Sequence, residues 1–198
     1  NCMGLSDARS HEMHRNEGYL PIRYSWRMEI QLDAPLVSPR WPDGVTLRPY
    51  QPGEQSRAVF EAVDEAFRDH WGHTPMKYEN WKMKTIQRPD FDPTLSFVAW
   101  DGNQIAGVAL CRLKSEIGWV GSLGVRRPWR KRGLGLSLLT HAFAEFFRRG
   151  TQTIGLGVDA ESQTGATRLY QRAGMRVASE YVFYQKELRP GRDVVEDE

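Results

Sequence analysis

The segment Gly118-Trp-Val-Gly-Ser-Leu-Gly-Val125-Arg-Arg-Pro-Trp-Arg130-Lys-Arg-Gly-Leu-Gly135 constrains the fold more than any other part of the chain. Trp119, Val120, Leu123 and Val125 read as a buried strand, with Gly121 and Gly124 interrupting its side-chain pattern. A turn around Pro128 follows, carrying Arg126, Arg127, Arg130, Lys131 and Arg132. Gly133 and Gly135 then open an apolar-periodic segment from Leu134 to Phe147. The first-turn N–H groups of a helix lack intrahelical partners and carry the positive end of its dipole. Glycine there lets an anion reach the bare backbone. Strand, basic turn and glycine-opened helix together predict a phosphate site.

Two common phosphate loops do not fit. The Walker pattern needs Gly-Lys-Ser/Thr, whereas Gly135 is followed by Leu136-Ser137; the dinucleotide fingerprint needs a third small residue where Leu138 stands. Gly155-Leu-Gly157 matches that fingerprint in letters, but at the end of a strand with no helix opening on it. Arg130 to Gly135 resembles instead the Arg/Gln-x-x-Gly-x-Gly/Ala loop of the GNAT superfamily of N-acetyltransferases. Leu169-Tyr170-Gln-Arg-Ala-Gly174-Met175 resembles that family's Leu-Tyr-x-x-x-Gly-Phe ending, with Met175 in place of phenylalanine. The resemblance spans residues 45–188. It implies acetyl-coenzyme A as co-substrate and direct acyl transfer to a small-molecule or peptide amine. It also implies an α/β GNAT fold: a mixed twisted sheet of about six to seven strands with helices on both faces.

The order of elements agrees with that fold. Strand 45–50, helix 54–67, a helix over 75–87 capped by Thr74, and a hairpin around Asp101-Gly102-Asn103 precede the central strand. Helix 134–147, strand 152–158, a short helix closed by Gly174, and further strands within 175–188 follow it. In the long helix Leu138, Leu139, Ala142, Phe143, Phe146 and Phe147 form the buried face, which puts Ser137, His141 and Glu145 on the solvated side.

Composition excludes several classes. The net charge of +2 leaves any basic surface local, and the cluster between Arg126 and Arg132 is too short for a nucleic-acid footprint. No apolar run reaches transmembrane length, so no membrane partner is expected. Two distant cysteines, Cys2 and Cys111, point to a reducing, cytoplasmic setting rather than a disulfide framework.

The resemblance assigns roles residue by residue. Backbone groups of Leu123, Gly124 and Val125 would run beside pantetheine, and Arg130, Lys131, Arg132, Gly133, Leu134 and Gly135 would hold the pyrophosphate. A bulky acid at Gly135 is expected to abolish binding with little change in melting temperature. Ser162 stands where the family often places an asparagine against coenzyme A. Tyr170 would protonate the leaving thiolate. The family's central-strand carboxylate is missing, since Gly121-Ser122 stands there. A general base must then come from Glu116, Asp69, His70, His73 or bulk water. His70, Trp71 and His73 fall in the loop that shapes the acceptor pocket, and no metal site is expected. A catalytically weak coenzyme A-binding domain is the alternative.

The N-terminal part is set apart by a proline-rich stretch ending near Asp43-Gly44, giving expected divisions of 1–43, 44–188 and an acidic tail 189–198. His11 to His14 reads as a solvated helix end. Tyr24, Trp26, Met28, Ile30 and Leu32 alternate with polar residues, so this strand must pack on a sheet. Asn16-Glu17-Gly18-Tyr19 and its strand parallel Arg172-Ala173-Gly174-Met175 and the strand after it. Residues 1–43 are therefore expected to be the tail of a preceding copy plus a linker, as in tandem proteins of the mycothiol synthase type. Residues 24–32 would then pair with a sheet edge.

Overall fold

The computed structural model describes residues 2–162 and 164–189; Gln163 and nearly all of the acidic tail (190–198) lie outside the described residues. In chain order the elements are β1 (Cys2–Gly4), α1 (Ala8–Asn16), β2 (Leu20–Gln31), β3 (Val45–Pro49), α2 (Ser56–Phe67) and α3 (Tyr78–Lys84). They continue with β4 (Ser96–Asp101), β5 (Gln104–Lys114), β6 (Ile117–Val125), α4 (Leu134–Arg148), β7 (Thr153–Asp159), α5 (Ala166–Arg172) and β8 (Arg176–Gln185).

All eight strands join one sheet in the order β1-β8-β2-β7-β6-β5-β4-β3. Among the described residues only β6 and β7 run parallel; every other pair is antiparallel. The central strands are apolar on both faces, as strands covered on both sides must be. Along β5, Val108 and Leu110 pack with Val59, Ala62 and Trp81 of α2 and α3, whereas Ala109 and Cys111 face the cluster of Leu138, Ala142 and Phe146 on α4. The alternation of the strand thus assigns one helix pair to each face.

Two strands more than the lower expectation arise at the N-terminus. Strand β2 does pair with the sheet, but inside it: Met28 stands opposite Leu156 of β7 on one side and Val177 of β8 on the other. Its face is filled from Trp26 onward, with Met28 and Leu32 buried and Trp26 and Ile30 packed against the main core, whereas Tyr24, expected on the same face, is 40% exposed. The expected further strands within 175–188 are one strand, because no turn signal interrupts it; β2 provides its inner antiparallel neighbour.

The ends of α1 and α5 match bond for bond. In α1, Glu17, Gly18 and Tyr19 donate backbone N–H groups to the carbonyls of Met13, Arg15 and His14; in α5, Ala173, Gly174 and Met175 donate to Leu169, Gln171 and Tyr170. Gly18 and Gly174 take φ of 77° and 90°, the left-handed closing residue each pattern requires.

Three local readings are corrected. Helix α3 starts at Tyr78, so Thr74 is not its cap. His11 is buried rather than solvated, bonded to the Tyr184 hydroxyl and the Gly4 carbonyl, each at 3.0 Å. His141 is not on a solvated face, because Phe97 meets its ring edge-on at 4.8 Å and Trp41 covers it. The stretch 33–43 is an irregular segment laid across α4: Leu36 and Trp41 join the core, and Ser137 Oγ donates to the Arg40 carbonyl. Among the described residues no helix is long and apolar enough to cross a membrane.

Candidate functional site

Strands β6 and β7 pair only from Gly118 to Val120 against Ile154 to Leu156. Beyond Val120 both continue, unpaired with each other, and a cavity of about 930 Å³ opens between them. Gly121 begins the separation. On its other side it is the extra residue of a bulge, since Val120 pairs with Cys111 and Ser122 with Leu110. A bulge re-aims the strand locally and frees backbone groups.

The cleft is lined by Leu123, Gly124 and Val125 on one side and by the start of α4 on the other. Gly124 is required there by packing, because a Cβ would stand 2.9 Å from the Ala66 Cβ on α2. Lys131 (φ 61°) and Gly133 (φ 86°) are both left-handed, which folds the loop back over the helix start. No side chain caps α4. Among the described residues the amides of 131–136 have no backbone or side-chain acceptor. Such a row of free N–H groups is an anion cradle.

The basic turn serves mostly to hold this loop in place. Arg126 pairs with Glu65 at 2.6 Å, and Arg127 and Arg130 both grip Asp69. Arg130 also donates to the carbonyls of Val125 and Ala66, at 3.0 Å each. Arg132 donates to the Asp43 carbonyl, away from the cleft. Of the expected phosphate side chains, Lys131 remains, lining the cleft without an ion pair among the described residues. Two cations missed in the sequence join it: Arg168 and Arg172, four apart on α5, line the same cavity without ion pairs among the described residues. Their spacing places both on one helix face, which was the available signal.

Tyr170 lines the cleft and is buried. Its phenol bonds to no other described group, and burial pushes its pKa up to about 12. His70 also lines the cleft, with its ring against Phe67 at 4.5 Å. Burial lowers its pKa below the ordinary 6.5, so it is a neutral imidazole at pH 7. Asp69 is a poor base, since hydrogen bonds from Arg127 and then Arg130 hold its carboxyl well below the carboxylate range.

The remaining expected residues are not brought together here. Glu116 is exposed in the β5–β6 turn and does not line this cavity. Five steps along the strand, roughly 16 Å, separate it from Gly121. Ser162 bonds Thr164 at 2.9 Å, and Thr164 rather than Ser162 lines the cleft. Trp71 lies outside beneath the Arg23 guanidinium, and His73 faces Asp64. Gly135 lines the cleft, but a Cβ there would stand 2.9 Å from Leu169 Cδ1. Gly135→Glu should therefore lower the melting temperature as well as abolish anion binding. Calorimetry with acetyl-coenzyme A beside a thermal melt checks both, and unchanged affinity would sink the cradle.

The model of the acetyltransferase (GNAT) family matches residues 56–175. A mycothiol acetyltransferase of Thermobispora bispora is 32% identical over 176 residues, covering 85% of this chain and 59% of that protein. One from Salinispora tropica is 34% identical over 179 residues, covering 84% and 56%. Among solved structures, a GCN5-related N-acetyltransferase from Sphaerobacter thermophilus superposes with TM-score 0.86 at 42% identity, over 98% of this chain and 61% of that one. A tandem GNAT protein of the clavulanic acid pathway shares the fold, with TM-score 0.68 at 15% identity, over 94% of this chain and 60% of its own. The chain thus spans under two thirds of the length of these relatives.

Proposed function

This chain belongs to the GNAT acetyltransferase family, and we propose that it transfers an acetyl group from acetyl-coenzyme A to an amine by direct attack. The observation that carries the reading is the parting of β6 and β7 beside an uncapped helix start with free amides. The residues present fit the coenzyme. Amides of 134–136 would take the pyrophosphate, Lys131, Arg168 and Arg172 would neutralise it, and the unpaired edge of β6 at Leu123 to Val125 would bind the pantetheine arm. The coenzyme supplies the activated thioester. His70, neutral at working pH, would accept the proton of the attacking amine, and Tyr170 Oη would donate one to the departing sulfur. With a pKa of about 12, Tyr170 keeps that proton throughout the useful range.

The test is thiol release from acetyl-coenzyme A with a panel of primary amines, followed across pH. If His70 is the base, the acid limb of kcat/KM should have its midpoint below pH 6.5, because burial favours the uncharged ring. His70→Ala should remove that limb. Coenzyme binding without thiol release for any amine would favour the inactive, binding-only alternative.

We further propose that residues 1–43 are the tail of a preceding copy of the fold followed by a linker. The matched closing bonds of α1 and α5 support this reading.

A further inference from the structure

A second cavity, of about 190 Å³, lies on the α3 side of β6. Its walls are charged: Lys84, Arg88, Asp90 and Arg112 stand around Gly121 and Ser122. Gly121 lines this cavity and the cleft alike, so the two meet where β6 leaves β7. A molecule held here borders the site at which the cleft would present a thioester.

The charges do not balance within the pocket. Arg88 spends its fork on Asp90, with Nε at 2.7 Å and Nη2 at 2.9 Å from the two oxygens. Arg112 Nε approaches the same carboxylate at 3.3 Å, yet without hydrogen-bond geometry, and it is a buried donor with no acceptor. Lys84 makes no ion pair among the described residues. Three cations thus face one anion. A buried guanidinium N–H left unmade is costly, and an anion drawn to the other guanidinium N–H groups would offset the local excess of positive charge. Gly121 is what seats this arginine: a Cβ there would stand 2.9 Å from Arg112 Nη1. The missing side chain on the central strand, and the place of its missing carboxylate, are filled by a cation.

We propose that this cavity is the acceptor subsite and that it selects primary amines carrying a carboxylate, which Arg112 binds. The inference rests on the acetyltransferase reading of the cleft. Among the described residues the Arg112 guanidinium makes no hydrogen bond, and a planar carboxylate is the anion whose two oxygens match a guanidinium edge. The bound amine would then lie toward Gly121 and the cleft.

The test compares 4-aminobutyrate with 4-aminobutanamide, which differ in the charged group alone, and with O-phosphoethanolamine. Wild-type enzyme should show KM for the carboxylate about tenfold or more below that for the amide. Arg112→Gln should raise KM for the carboxylate by a similar factor, leaving kcat, KM for the amide and calorimetric affinity for acetyl-coenzyme A nearly unchanged. Equal KM for the matched pair in the wild type would overturn the proposal without any variant having to fold. So would a rise in both KM values in Arg112→Gln, no turnover of the carboxylate, or preference for O-phosphoethanolamine. Absence of acetyl-coenzyme A binding in the wild type is a separate result, and it removes the acetyltransferase reading along with the subsite.

Discussion

Tyr170→Phe should lower kcat by about 10²-fold, the usual scale for losing a general acid, with acetyl-coenzyme A affinity and melting temperature nearly unchanged. The prediction joins two facts about one side chain. Tyr170 packs in the main core and lines the cleft, so the phenyl ring must be kept. Its hydroxyl bonds to no described group, so removing it orphans no buried partner and leaves the fold intact. A thiolate leaving an apolar cleft needs a proton, and this phenol stays protonated up to about 12. Rates should be taken at saturating amine, where binding effects cancel. Equal turnover of Tyr170→Phe and wild type would make Tyr170 a packing residue only.

Met28→Ala should be the most damaging single truncation in the N-terminal segment, costing about 2–5 kcal/mol. Met28 is fully buried, at 0% exposure, between β7 and β8. A loss of that size should lower the melting temperature by roughly 10 °C in a domain of this length. Val37→Ala is the control, since Val37 is 90% exposed and should shift stability by less than about 0.5 kcal/mol. Removing residues 2–32 should be worse still, because it severs β7 from β8 rather than baring an outer edge, and no cooperative melt should survive. A shift within experimental error for Met28→Ala would show that β2 is dispensable. Acid should weaken the fold as well. His70 and His141 are both held neutral by burial, so below pH 6.5 the unfolded chain binds protons that the folded one refuses, and stability falls.

The parts of this molecule legible in its sequence are those whose physics is local. Glycines at 133 and 135 before an apolar-periodic run announce an open helix start from backbone geometry alone. Gly174 announces a helix end in the same way. The parts that were not legible depend on partners far along the chain. Nothing in the alternation of residues 24–32 says that the strand has neighbours on both sides, because a two-faced requirement looks the same at an edge and inside. Arg126 to Arg130 read as one basic cluster because their acidic partners, Glu65 and Asp69, lie sixty residues earlier. Glu116 failed for the opposite reason: it is near the central strand in sequence but at the wrong end of it. Arg112 gave no signal at all, since only the strand bulge and the bare Gly121 bring it to the second cavity.

The position of β2 also sets an order of events during synthesis. It leaves the ribosome before both strands that flank it, and about 120 residues separate its end from the start of β7. At about 5–20 residues per second, Met28 and Trp26 wait on the order of ten seconds for β7 and β8. Closing so long a loop is entropically late as well as temporally late. The nascent chain must therefore carry an apolar strand with two open ladders while the residues between β2 and β7 are made. The charges at Arg23, Arg27 and Glu29 along that strand are what discourage it from pairing with a neighbouring chain in the meantime.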